Sequence, residues 1–173
     1  MRHLFLLFLF LLAPLAPLHS AQVRSDAEQG DAAAQFNLGV LYSGGHGVAQ
    51  DYVEARQWYL KAAEQGYAFA QYSLGILYDL GQGVPQDYVE ARKWYLKAAA
   101  GGHIDVPNYL GLMYDSGEGV PEDDVRAYAW WLIGIERGDD APRNNMALLE
   151  EKLSADEITA ARKLADQLLK EME

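Results

Sequence analysis

Cysteine is absent from all 173 residues. Without thiols there is no disulfide, no thiolate nucleophile, no Cys-type zinc site and no lipid-modified N-terminal cysteine. Basic residues are scarce: 14 Lys and Arg stand against 25 Asp and Glu, a net charge of −11. A basic stripe that could neutralise phosphates is therefore missing, which argues against nucleic acid as a partner. The same sign disfavours adsorption to anionic lipid. Histidine is thin as well. Beyond the first 20 residues only His46 and His103 occur, and they read as isolated exposed side chains with no His-x-x-x-His pair. No serine comes with a base and an orienting acid at readable positions. Glycine-x-glycine stretches occur, but no strand pattern precedes them and no Lys-Ser/Thr follows, so they are turns rather than phosphate cradles. The expectation is a protein that is not an enzyme, with no cofactor and no metal.

Long apolar runs are confined to the start. Met1-Arg2-His3 precedes an unbroken apolar run over 4–12, extended through Pro14 and Pro17 to Leu18, with the small residues Ser20 and Ala21 behind it. This order reads as a secretory signal peptide over 1–21, although His19 stands where cleavage after Ala21 prefers a small residue. About 20 apolar residues are needed to span a bilayer, and the two prolines interrupt this run. The expectation is export to the periplasm or secretion, with no stable membrane insertion once the leader is removed.

What the remaining chain has is a period. Gly39, Gly75 and Gly111 are 36 residues apart, as are Tyr42, Tyr78 and Tyr114, Asp51, Asp87 and Asp123, and Trp58, Trp94 and Trp130. Self-similarity at this spacing marks stacked helical repeats. The spacing divides the chain into repeats over 31–66, 67–102 and 103–138. In the second, Ala70, Leu74, Leu77 and Tyr78 share one helical face. Gly81-Gln82-Gly83 breaks that helix, and Asp87 with Glu90 starts the next as a capping box. Asp51 with Glu54 repeats the arrangement, whereas Asp123 is followed by Arg126, so the reciprocal bond is expected to be lost there. Tyr88, Ala91, Tyr95 and Ala98 form the second helix's apolar stripe. The tryptophan series reads as core packing. Small residues (Gly75, Ala91, Ala98, Ala99) predict a close approach of the two helices.

Both ends depart from the repeat. Residues 22–30 contain Ala27-Glu28-Gln29-Gly30, a match to Ala63-Glu64-Gln65-Gly66, and read as the remnant of a truncated repeat covering the open end. Residues 139–173 read as a C-terminal helical cap. Around Met146 lies a degenerate first helix. Ser154 with Glu157 opens a last helix whose apolar stripe is Ile158, Ala161, Leu164, Ala165 and Leu168.

These residues resemble the Sel-one-like repeat family, a relative of the tetratricopeptide repeats. In repeat one the family pattern is carried by Ala34, Leu38, Gly39, Tyr42, Gly45, Gly47, Val48, Asp51, Ala55, Trp58, Ala62, Ala63 and Gly66. Repeat three departs from it at Val106 and at Gly134-Ile135. The resemblance implies an all-α fold, a right-handed α-solenoid of helix-turn-helix repeats. It also implies an adaptor that joins other proteins, in envelope assembly, signalling or host contact.

By analogy with tetratricopeptide repeats, the first helices line a concave groove. Three rows are then expected to face it: Phe36, Tyr72 and Asn108; Val40, Ile76 and Leu112; Ser43, Asp79 and Asp115, with Phe69 and Asn144 at the border. An apolar strip edged with acids suits another protein's extended segment or helix carrying apolar anchors and some positive charge. Two alternatives stand beside this. One is a structural part of an envelope complex that uses the convex face or the caps. The other, suggested only by a cysteine-rich branch of the family, is binding or turnover of cell-wall peptide or β-lactam ligands.

Overall fold

The computed structural model describes residues 15–172. Among them are nine helices and no strand: α1 (Leu15–Glu28), α2 (Ala32–Gly44), α3 (Tyr52–Glu64), α4 (Ala68–Leu80), α5 (Tyr88–Ala100), α6 (Val106–Ser116), α7 (Asp124–Glu136), α8 (Arg143–Glu150) and α9 (Ala155–Met172). From α1 to α7 each helix packs on the next, and α7 carries both α8 and α9. Contacts that run mainly between successive helices and adjacent repeats define an α-solenoid. Residues 1–14 of the expected leader lie outside the described residues, and α1 already starts at Leu15.

Within each repeat the helices touch at one glycine. A Cβ placed on Gly39 would stand 2.5 Å from the Tyr59 ring, and the same atom on Gly75 or Gly111 would collide with Tyr95 or Trp131. Only a residue without a side chain lets an aromatic ring lie directly on the facing backbone. The recurring glycine in the first helix is therefore a packing requirement, as the small residues predicted.

Between repeats the connection is made twice over. The buried Gln35 donates to the carbonyl of Ala27, 3.2 Å, and the buried Gln71 to that of Ala63, 3.1 Å. At the third junction the buried Pro107 occupies the glutamine position, and Arg137 Nη1 donates to Ala99 instead, 2.7 Å. Each bond adds a side-chain donor to a carbonyl in the last turn of the preceding helix, which also accepts the amide three residues on. The loops supply the other connection. Gly83 lies on the backbone of Tyr52 and Gly119 on that of Tyr88, so close that a Cβ on either would fall within 2.9 Å of three atoms. Position 124, next in the tyrosine series, is Asp. Gly47, first in the glycine series, has nothing within 4 Å of its Cβ direction.

The second helices start as expected, with one correction. Asp51 Oδ1 accepts from the amides of Val53 and Glu54 at 2.9 and 3.0 Å, Asp87 from Glu90 at 3.0 Å, and Asp123 from Arg126 at 2.9 Å. The reciprocal half of the box is not what holds the cap. The amides of Asp51, Asp87 and Asp123 donate to the carbonyls of Tyr42, Tyr78 and Tyr114, each at 2.9 Å. Arg126 therefore costs repeat three no bond, and its guanidinium pairs with Asp123 at 3.2 Å. Among the described residues a full reciprocal box forms only at α9. There Glu157 Oε2 accepts from the Ser154 amide at 2.8 Å, while Ser154 Oγ receives the Glu157 amide at 3.3 Å.

The core thickens toward the C-terminus. Its largest cluster joins α5, α6 and α7 to Leu149 of α8 and to Ala161 and Ala165 of α9. Ile158, Leu164 and Leu168 pack on it half-buried. The tryptophan series divides accordingly. Trp130 is buried beneath the C-terminal helices, but Trp58 and Trp94 are half-buried, with the ammonium groups of Lys61 and Lys97 at 3.7 and 4.0 Å from their rings. Repeat three has the fully buried Ile133 in place of that lysine. The uniform core role expected for all three tryptophans holds only where a further helix covers the ring.

Candidate functional site

The first helices α2, α4 and α6 carry ten of the eleven residues expected at a binding face. The period stacks them in register. The structure assigns them unequal roles.

Phe36, Phe69 and Tyr72 belong to a continuous aromatic chain. The Phe36 ring lies 5.8 Å from Tyr59, 5.3 Å from Tyr67 and 6.1 Å from Phe69. Phe69 then meets His103 edge-on at 4.9 Å, and His103 lies 4.4 Å from Tyr72. Tyr72 turns to Tyr109, with centroids 5.4 Å apart and hydroxyls 2.9 Å apart. Phe36 and Tyr72 are half-buried in this chain, whereas Phe69 remains 54% exposed. Burial, followed by the hydroxyl of Tyr109, pushes the Tyr72 phenol above its ordinary range, so it is a neutral hydrogen-bonding group.

Val40, Ser43 and Ile76 meet around one cavity of 320 Å³ between α2 and α4. It is also lined by Tyr59, Leu77, Ser73, His46, Tyr52 and Gln82. Ser43 and Tyr59 share a hydrogen bond of 2.9 Å. Asp79, one repeat on from Ser43, accepts from the Tyr95 hydroxyl at 3.1 Å. Desolvation raises its carboxyl above the usual carboxylate range, against the lowering effect of that bond. Leu112, in the row of Val40 and Ile76, is exposed, and Asp115, in the row of Ser43 and Asp79, is half-buried.

Two expected residues contribute less to this face. The backbone carbonyl of Asn108 takes the Trp131 indole N–H at 3.3 Å, and its buried side-chain oxygen has no partner. Asn144 is exposed on α8 and does not line the cavity. Three or more Asp, Glu, His or Cys that could hold a metal ion do not come together among the described residues. No described helix is long and apolar enough to cross a membrane.

His103 corrects the reading of an isolated exposed histidine. It is 6% exposed and lies between the rings of Phe69 and Tyr72, with Nδ1 unpartnered. Burial lowers its pKa below the ordinary histidine value, opposed by the charge of Asp105. The sequence held a signal for this: His103 stands 36 residues after Tyr67, which packs on Phe36 in the same way. The cavity residues Tyr59, Ser73, His46 and Gln82 were likewise missed. The available sign was the series Asn37, Ser73, Tyr109, in which a small side chain stands where the next repeat has a ring.

Comparison with known proteins follows the same lines. The Sel1 repeat profile matches residues 32–67, 68–103 and 108–139. A Sel1 repeat protein from Oxalobacter formigenes, known from its crystal structure, is 34% identical with a TM-score of 0.67; the match covers 76% of this chain and 59% of that one. A protective antigen present in uropathogenic Escherichia coli strains, described as having an SLR fold, is 24% identical with a TM-score of 0.49. That match covers 87% of this chain and 48% of the antigen. The chain thus spans well under two thirds of the length of either structure. A search of curated proteins found no match. With three repeats in register over most of its folded length, this chain belongs to the Sel1 repeat family.

Proposed function

We propose that this chain is an exported, non-enzymatic adaptor that binds a segment of another protein along the face of α2, α4 and α6. Proteins of Sel1 repeats are generally scaffolds for protein–protein interaction. The observation that carries the reading is unspent apolar surface on these helices: Val40, Phe69 and Leu112, one from each repeat, are exposed, and Val40 also lines the open cavity. Acids border it at Asp79, Asp115 and Glu118, which favours a segment with positive charge. A face of this length suits a short segment held at about micromolar affinity, about 8 kcal/mol. Its setting is the periplasm or the cell exterior, supported by the leader pattern in the sequence.

The test is cross-linking capture from envelope extract, comparing the parent with a Val40→Glu, Phe69→Ala, Leu112→Glu variant of unchanged circular dichroism. These three are exposed, so the variant keeps its core. A partner captured by the parent and lost by the variant supports the groove. A partner held equally by both refutes it. That second outcome would favour assembly through the convex face or the cap, where Val53, Val89 and Leu148 are exposed.

A further inference from the structure

The same place in the fold is filled in one repeat pair and empty in the other. Between repeats two and three, Tyr109 of α6 stacks on Tyr95 at 5.5 Å, and Tyr95 is left with no exposed surface. Its hydroxyl reaches Asp79 at 3.1 Å. Between repeats one and two the framework is the same: Tyr59 stands for Tyr95, Ser43 for Asp79, and the hydroxyl bond is kept at 2.9 Å. Tyr109 has no counterpart ring there, because position 73 is Ser, although Tyr59 itself is only 4% exposed. Tyr59 and Ser73 then both line the 320 Å³ cavity. Ser73 does not seek a ligand of its own, since its hydroxyl donates to the Phe69 carbonyl at 2.9 Å.

We infer that this cavity receives one aromatic side chain from a partner's peptide segment, which packs against Tyr59 in the place that Tyr109 takes against Tyr95. The inference rests on the groove reading above and gives it an anchor. Several features favour a ring over an aliphatic chain. The cavity lies at the small end of the range of ligand pockets, so it takes one side chain and not an extended ligand. Its walls are Val40, Ile76, Leu77 and the Tyr59 ring, against which a second ring packs with its preferred offset geometry. Its lining also offers Gln82, Ser43 and His46 to the polar edge of a tyrosine or to the segment's backbone. One repeat further along, the positions of Ser43 and Gln82 become Asp79 and Glu118. A basic residue flanking the aromatic anchor would meet those acids.

The experiment titrates the purified, isotopically labelled chain with N-acetyl-tyrosinamide, followed by amide chemical shifts, with N-acetyl-leucinamide as comparison. Saturable shifts at Ser43, Ser73 and Ile76 are expected, with leucinamide weaker by about tenfold. Ser73→Tyr places an internal ring where Tyr109 sits and should abolish those shifts. Ser73→Ala leaves the space open and should retain them. The tripeptide amide Lys-Tyr-Lys should bind more tightly than Glu-Tyr-Glu at low salt. Absent shifts at those amides in the parent, equal binding of leucinamide, or shifts unchanged in a folded Ser73→Tyr variant would each overturn the inference. Tighter binding of Glu-Tyr-Glu would overturn its basic flank. The fragment titration reads the cavity alone, and the capture experiment reads the whole face. Loss of one result without the other therefore identifies which claim failed.

Discussion

Replacing Gly75 by Ala tests the packing logic of the whole array. Helix propensity alone favours the change, since Ala exceeds Gly by about 1 kcal/mol in a helix interior. The structure opposes it. The new Cβ would occupy the space of the Tyr95 ring. That ring cannot easily withdraw: Tyr109 stacks on it at 5.5 Å, Tyr72 lies at 6.1 Å, and its hydroxyl is bonded to Asp79. Overpacking of a filled core costs about 1–3 kcal/mol, and here the upper end applies because three neighbours fix the ring. Displacing the hydroxyl from Asp79 adds about 1 kcal/mol. The net expectation is a loss of about 3 kcal/mol. At about 2–4 °C per kcal/mol for a chain of this size, the midpoint should fall by roughly 6–12 °C. Thermal and urea unfolding read this directly. Tyr95→Ala, which removes the obstructing ring, serves as the second background. Gly75→Ala should be neutral or stabilising there, by up to about 1 kcal/mol. Gly75→Ala as stable as the parent in the native background would refute the close-approach argument.

Other perturbations probe other contacts. Gly119→Ala meets the Tyr88 backbone while Gly47→Ala meets nothing, though both have positive φ. Urea unfolding should show the first losing about 2 kcal/mol more than the second. His103 has its pKa lowered in the folded state, so the unfolded chain takes up protons first as pH falls. Its contribution is whole above about pH 6.5 and declines as acidity increases. His103→Phe keeps the contacts with Phe69 and Tyr72 and should flatten the fall in urea stability between pH 7 and 5; an unchanged slope would refute the role of this histidine. Ser154→Ala removes the one complete capping box and should cost about 1 kcal/mol. Loosening of α9 over Trp130 should also red-shift the tryptophan emission during mild denaturation.

How much of this was legible in the sequence depended on whether a residue's role repeats. The helix pairs, the caps' positions and the glycine beneath each ring recur every 36 residues, so the period exposed them. The α-solenoid followed from nearest-neighbour contacts that each repeat makes in the same way. Roles that depend on what one repeat has and its neighbour lacks were not legible. Trp58 and Trp130 are identical letters, yet only the second lies under further helices. His103 looked solitary because histidine suggests chemistry, although its position belongs to the aromatic series of Tyr67. The candidate face was read as three uniform rows. Phe36 and Tyr72 instead spend part of their surface on rings of their own and the following repeat, and Ser73, absent from the rows, lines the open space. The capping carboxylates were found, but not the tyrosine carbonyls that take their amides. A backbone acceptor leaves no mark in side-chain sequence.

The contact of Gly83 on Tyr52, repeated by Gly119 on Tyr88, makes the array extensible. Each internal junction presents the same half to its successor, so a further copy of residues 67–102 inserted after Gly102 would offer a tyrosine to Gly119 and receive Tyr88 on its own loop. At the third position of the tyrosine series the residue is Asp124, and α8 and α9 follow in place of another such loop. The length of the array is therefore adjustable in whole repeats, and the two ends need not change when it does.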